Sequence, residues 1–186
     1  MDDEDAKILI KSLIQDIPNI VLERILKASS KNPLYIIQFT EYLLDLNLAH
    51  IVNRETVGIR NIDNFSNHLY IPLGIEKLYE ERKDNLSILA KGNILQDILY
   101  ILAFIEKPIS IYILKEILNI RKSDINLLLF RKFIKFVNYD EKKIWFFHES
   151  LFLYFKQHLR NNLNILEHTL YTIYRNRIIF NELSSF

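Results

Sequence analysis

Cysteine is absent from this 186-residue sequence, and glycine and proline occur only three and four times. Without cysteine there are no disulfides and no thiolate metal ligands, a composition that fits a reducing cytosol. With so few glycines and prolines, tight turns are scarce and periodic helices should dominate. No Gly-x-x-x-x-Gly-Lys-Ser/Thr segment occurs, and Gly58, Gly74 and Gly92 stand too far apart to cradle a phosphate together. No apolar strand ending in Asp-Asp or Asp-Glu supplies a magnesium partner. A charge excess is lacking too. The 24 basic and 23 acidic side chains give +1, which by itself sets up no field to gather nucleic acid or anionic lipid. The start, Met1-Asp2-Asp3-Glu4-Asp5, is acidic and does not read as a secretory signal. The most apolar stretch, residues 94–105, is interrupted by Gln96 and Asp97 and is too short for a bilayer. A cytoplasmic protein without a membrane partner is expected. His50, His68, His158 and His168 show no ligand spacing with acidic partners, so no metal site is expected. The Ser–His combinations form no nucleophile order above chance. The chain carries no catalytic constellation and is not expected to be an enzyme by itself.

What is present is globular: hydrophobic residues make up 49% and charged residues 25%. Residues 2–17 read as a helix, with carboxylates crowding its first turn and Ala6, Leu9, Ile10, Leu13, Ile14 and Ile17 in a stripe before Pro18. A second helix is expected over 19–29. Asn32-Pro33 opens a third, to about Leu48, because Asn suits the N-cap and Pro suits the first helical position. Its apolar residues run almost all round, which predicts burial on most sides. Residues 49–62 turn β-branched and read as a small hairpin or extended linker. A polar, Asn-rich stretch over 61–70 marks a domain boundary. Helices are then expected over 73–89, 94–106, 111–118 and, capped by Ser123, to about Phe130. Two strand-like runs, 133–138 and 143–148, flank the polar turn Tyr139-Asp140-Glu141-Lys142. Further helices are expected over 149–160 and 163–180. The sequence thus divides into a helical bundle over 1–48, a linker over 49–72, a helix-turn-helix with a β-hairpin wing over 73–160, and a C-terminal helix over 161–186 that could begin a helical repeat array. The fold class is mainly α.

Three short segments resemble one family. Ala28-Ser29-Ser30-Lys31-Asn32-Pro33-Leu34-Tyr35 is similar to the Gly-Asn-Pro-Leu segment in the lid of STAND ATPases, a branch of AAA+ proteins related to the NB-ARC proteins. Lys31 departs from the glycine usual there. Ile71-Pro72-Leu73-Gly74-Ile75 looks like the entry to that family's winged helix. Phe147-His148-Glu149 resembles its Phe-His-Asp/Glu or Met-His-Asp motif. The resemblance covers roughly residues 5–160. It implies a lid whose Pro33, introduced by Asn32, packs on the adenine of bound nucleotide, and a His148 that reaches the diphosphate of ADP. It also implies that ADP or ATP is held only together with a nucleotide-binding core that this chain lacks, so the chain would be a fragment or one half of a split system. The expected partners are that core and a C-terminal helical repeat region. The expected function is regulatory, holding the ADP state and controlling activation or assembly. Residue physics alone leaves simpler readings open: Asn32-Pro33 as an ordinary helix start, and His148 as a strand-end histidine beside Trp145, Phe146 and Phe147.

The alternative is a winged-helix DNA-binding regulator. Arg121, Lys122, Arg131, Lys132, Lys135, Lys142 and Lys143 cluster near the turn, helix end and wing, where they suit phosphate contacts. The would-be recognition helix, Asp124-Ile125-Asn126-Leu127-Leu128-Leu129-Phe130, offers little to base edges and reads as a packing helix.

Overall fold

The first helix, α1 (Asp3–Leu13), starts where Asp2 Oδ1 accepts the Asp5 backbone N–H at 2.8 Å, and Asp3, Glu4 and Asp5 face the positive end of its dipole. In this computed structural model, which describes residues 1–53, 56–60, 69–89, 93–118, 121–159, 167 and 171, the helix stops earlier than its apolar stripe suggests. Ile14 and Gln15 instead form a short strand, β1. Pro18 disfavours helical geometry at Ile17, and Asp16 turns the chain at φ 56°. Two helices follow, α2 (Asn19–Ser29) and α3 (Pro33–Asp45), joined by Ser30 and Lys31 in the left-handed region. The hairpin strands β2 (Ala49–Ile51) and β3 (Val57–Ile59) pair antiparallel, and β3 also pairs parallel with β1. The resulting sheet has the order β1-β3-β2.

Ala6, Ile10, Ile14, Val21, Ile25, Tyr35, Phe39, Leu43 and Val57 form the core of this first unit, Met1–Asn85. The unit extends past the polar stretch that marked the boundary in sequence. Residues beyond that stretch are held by the N-terminal helices. Leu69, Ile71 and Leu78 join the core, Arg24 Nη2 donates to Leu69 O at 2.6 Å, and Tyr35 Oη donates to Pro72 O at 2.6 Å. Helix α4 (Gly74–Leu89) adds a further tie. Its Arg82 is completely buried, donates from Nε to Asp45 Oδ2 at 2.9 Å, and bonds Gln38 Oε1 through Nη1. A buried guanidinium is tolerated only when paired in this way.

The second unit, Leu86–Phe186, is built on α5 (Ile94–Ile105), whose Leu95, Ile98, Leu99, Ile101 and Leu102 are fully buried. Glu106 in the left-handed region ends it. A two-residue strand β4 (Ile109–Ser110) leads into α6 (Ile111–Leu118) and α7 (Lys122–Phe130). The hairpin β5 (Ile134–Asn138) and β6 (Lys143–Phe146) comes next, then α8 (Glu149–Gln157). The three strands form an antiparallel sheet of order β4-β6-β5, with Ile109 opposite Ile144 and Ile134 opposite Phe146. Phe155 of α8 joins this layer to α5, with Tyr100 edge-on at 5.3 Å and Phe146 at 5.8 Å. Ser123 is not the cap of α7. The cap is Arg121, two residues earlier, where Asp124 Oδ2 accepts the Arg121 backbone N–H at 2.9 Å.

The molecule is mainly helical. The polar stretch over 61–68 and the C-terminal helix expected over 163–180, except Glu167 and Tyr171, lie outside the described residues. No described helix is long and apolar enough to cross a membrane.

Candidate functional site

Asn32 and Pro33 sit at the start of α3, in the first unit. Asn32 Oδ1 accepts the Leu34 N–H at 2.9 Å, satisfying one of the donors that every helix leaves unpaired at its first turn. Pro33 occupies the first helical position, where it has no N–H to lose. One turn on, Tyr35 and Ile36 are fully buried and anchor the helix, while the Pro33 ring stays exposed. Lys31, where the resemblance has glycine, adopts φ 60°. This is the left-handed conformation that glycine enters most readily. The Lys31 ammonium reaches Asp3 at 3.1 Å.

His148 lies in the second unit, two residues beyond β6. Phe147 N–H donates to Phe133 O at 2.9 Å and holds the exit from the hairpin. His148 is then the N-cap of α8: its Nδ1 lies 3.1 Å from the Ser150 backbone N–H, which donates to it, and 3.0 Å from Ser150 Oγ. This arrangement has a chemical consequence. A ring nitrogen that accepts from a backbone N–H carries no proton, so the neutral ring must carry its proton on Nε2. His148 is exposed. Its outer nitrogen is therefore a donor fixed in direction by the cap behind it.

The structure alters the sequence argument about α7. Asp124 is buried in its cap with Arg121. Ile125 and Leu128 face the core, Leu127 is half-buried, and the side chain of Phe130 lies outside the described residues. The exposed face consists of Lys122, Ser123 and Asn126. Beside it opens a cavity of about 310 Å³, floored by Ile111, Ile125 and Phe136 and rimmed by Lys115, Lys122 and Lys142. Asn126 and Tyr139 complete its lining. Sequence reading missed Lys115 and Tyr139. Their proximity depends on how α6, α7 and the β5–β6 turn fold together, and no spacing in the sequence encodes it.

No family model, curated protein or solved structure matches the chain.

Proposed function

We propose that this chain is the lid and winged-helix portion of a STAND-type signalling ATPase and that it regulates the nucleotide state without catalysing hydrolysis. The observation that carries the reading is the order of elements in the second unit. A helix, a short strand, two helices and a β-hairpin are followed at once by a histidine that caps the next helix. In a winged helix the hairpin is the wing and α7 the second helix of the helix-turn-helix. Asn32 and Pro33 add support, since they start a lid helix while leaving the proline ring exposed.

In this reading the adenine of ADP rests on Pro33 and the diphosphate meets Nε2–H of His148. Each contact would depend on a separate nucleotide-binding core. The neutral tautomer set by the α8 cap suits the task, because it presents a donor to a phosphate oxygen without needing a second proton. The ADP state would be held closed, and exchange would release lid and winged helix together to drive assembly or signalling. The cytoplasm, the core and a helical repeat region are the setting and partners this role requires.

The test has two parts. The isolated chain, titrated with ATP in a calorimeter, should give no heat of binding at micromolar concentration and no hydrolysis. The same chain joined to a P-loop core encoded in frame should hold ADP, and should lose it faster when His148 is replaced. Binding by the isolated chain, or an unchanged ADP off-rate in the joined protein, overturns the proposal.

A further inference from the structure

The cavity between α6, α7 and the β5–β6 turn is cationic at its rim and aromatic at its mouth, although the whole chain is nearly neutral. None of its lining residues is acidic. Beside it, Asp124 is engaged by Arg121 and Glu141 by Lys143, the latter at 2.5 Å, while Asp140 follows Tyr139 in the turn and is exposed. Tyr139 is 77% exposed, and its ring lies 5.2 Å from that of Phe136, so one aromatic face stands free beside a half-buried one. On the same rim Lys142 Nζ donates to Tyr112 Oη at 2.8 Å and stands 5.3 Å from the centre of its ring. The Tyr112 phenol is held below its ordinary pKa, first by that hydrogen bond and then by the charges of Lys142, Lys115 and Lys122. The three ammonium groups therefore act on one region.

Lys142 also has φ 50°, in a turn where glycine or asparagine would fit with less strain. Strain retained at a turn is an observation from which a functional requirement can be argued. Here it delivers a cation to the cavity.

We propose that this cavity binds a single strand of nucleic acid, with an unpaired base stacked against Tyr139 and Phe136 and the flanking phosphates on Lys115, Lys122 and Lys142. A base enters such a site only if it is not already stacked inside a duplex, so the apolar floor selects single strands. Lysine rims alone would attract any polyanion. The free aromatic face is what adds preference for a base. Asn126, exposed at the edge of the cavity, offers an amide to the base edge. The inference is independent of the ATPase reading, since it needs neither a P-loop core nor a nucleoside diphosphate.

The experiment uses the chain as it stands and a fluorescently labelled ten-nucleotide oligo-dT, followed by anisotropy across a salt series. Three neutralised phosphates give a slope of about −2 in log affinity against log salt, or roughly a twenty-fold loss between 50 and 200 mM. Tyr139→Ala should weaken binding about 5- to 100-fold, the range that stacking supplies. The combined Lys115→Gln, Lys122→Gln and Lys142→Gln variant should abolish the salt slope. Thermal melts establish that each variant is folded; Tyr139 is exposed and should leave the melt unchanged. Three results would each overturn the proposal. Absence of binding would do so, as would a duplex bound as tightly as the strand, which would assign the lysines to duplex phosphates. Equal competition by poly-glutamate with no effect of Tyr139→Ala would reduce the site to a polyanion patch.

Discussion

Replacing His148 separates the cap that the structure shows from the nucleotide contact proposed for the same ring. Toward its own chain, Nδ1 caps α8 by accepting the Ser150 N–H at 3.1 Å. This helix has only nine residues, and its Leu151 and Phe155 are fully buried in the second unit. Losing a cap costs about 0.5–2 kcal/mol, typically near 1 kcal/mol. For a domain of this size 1 kcal/mol lowers Tm by about 4–8 °C. His148→Ala should therefore destabilise the isolated chain by that amount and leave it folded. His148→Asp should restore the melt, because a carboxylate accepts the same N–H and also faces the positive end of the helix dipole. Toward a ligand neither variant offers a donor where Nε2–H stood, and the carboxylate introduced by His148→Asp would in addition repel a diphosphate. In a protein joined to its nucleotide-binding core, both should release ADP faster. A lost hydrogen bond to a charged group, about 1.5–3 kcal/mol, corresponds to roughly a ten- to hundred-fold change. Urea melts of the isolated chain and stopped-flow ADP release from the joined protein read the two roles separately. If Asp melts no higher than Ala, the capping argument fails. If Asp restores the melt and also the ADP off-rate, His148 is only a cap.

The buried pair between Arg82 and Asp45 makes a second expectation. Asp45→Ala strands a guanidinium in the core and should cost about 3–5 kcal/mol, whereas Asp45→Leu combined with Arg82→Met should recover most of it in chemical denaturation. Burial pushes the Tyr42 phenol up to about 12, with Glu81, Tyr70 and Asp45 adding to it, and burial also raises Tyr35. The unfolded phenol ionises near pH 10, so unfolding releases protons above that pH; stability is complete below pH 10 and falls as pH rises toward 12. Tyr42→Phe should flatten this alkaline loss, and an identical slope in the variant would show that Tyr42 does not contribute. Leu128 is fully buried and Leu127 only half so, which predicts a loss of about 2–5 kcal/mol for Leu128→Ala and a smaller one for Leu127→Ala, compared by urea melts.

Elements whose cause is local were readable from the sequence. Helices α2, α5 and α6 keep the limits that apolar spacing and flanking breakers imply, and Asn32-Pro33 starts α3 through its own side chain and ring. Legibility ends where the partner is distant. Ile14 continues the stripe of α1 and reads as helix, yet it pairs with Val57, and a tertiary ladder outweighs a weak local preference. Arg82 reads as one more charge on a polar helix, because nothing in its neighbourhood announces that Asp45 and Gln38 will enclose it.

The same limit applies to the candidate sites, with a sharper consequence. Charged and amide residues on a short helix are ambiguous until it is known which of them serve the backbone. On α7 the one acid of the helix is consumed by the first turn, through the Arg121 N–H, and is buried. The exposed positions of the helix are then Lys122, Ser123 and Asn126. At His148 the backbone consumes only one nitrogen of two, and by doing so sets the chemistry of the other. A capping residue is thus not the opposite of a functional one. Where the side chain has a single polar group the cap hides it, as at Asp124; where it has two, the cap aims the second.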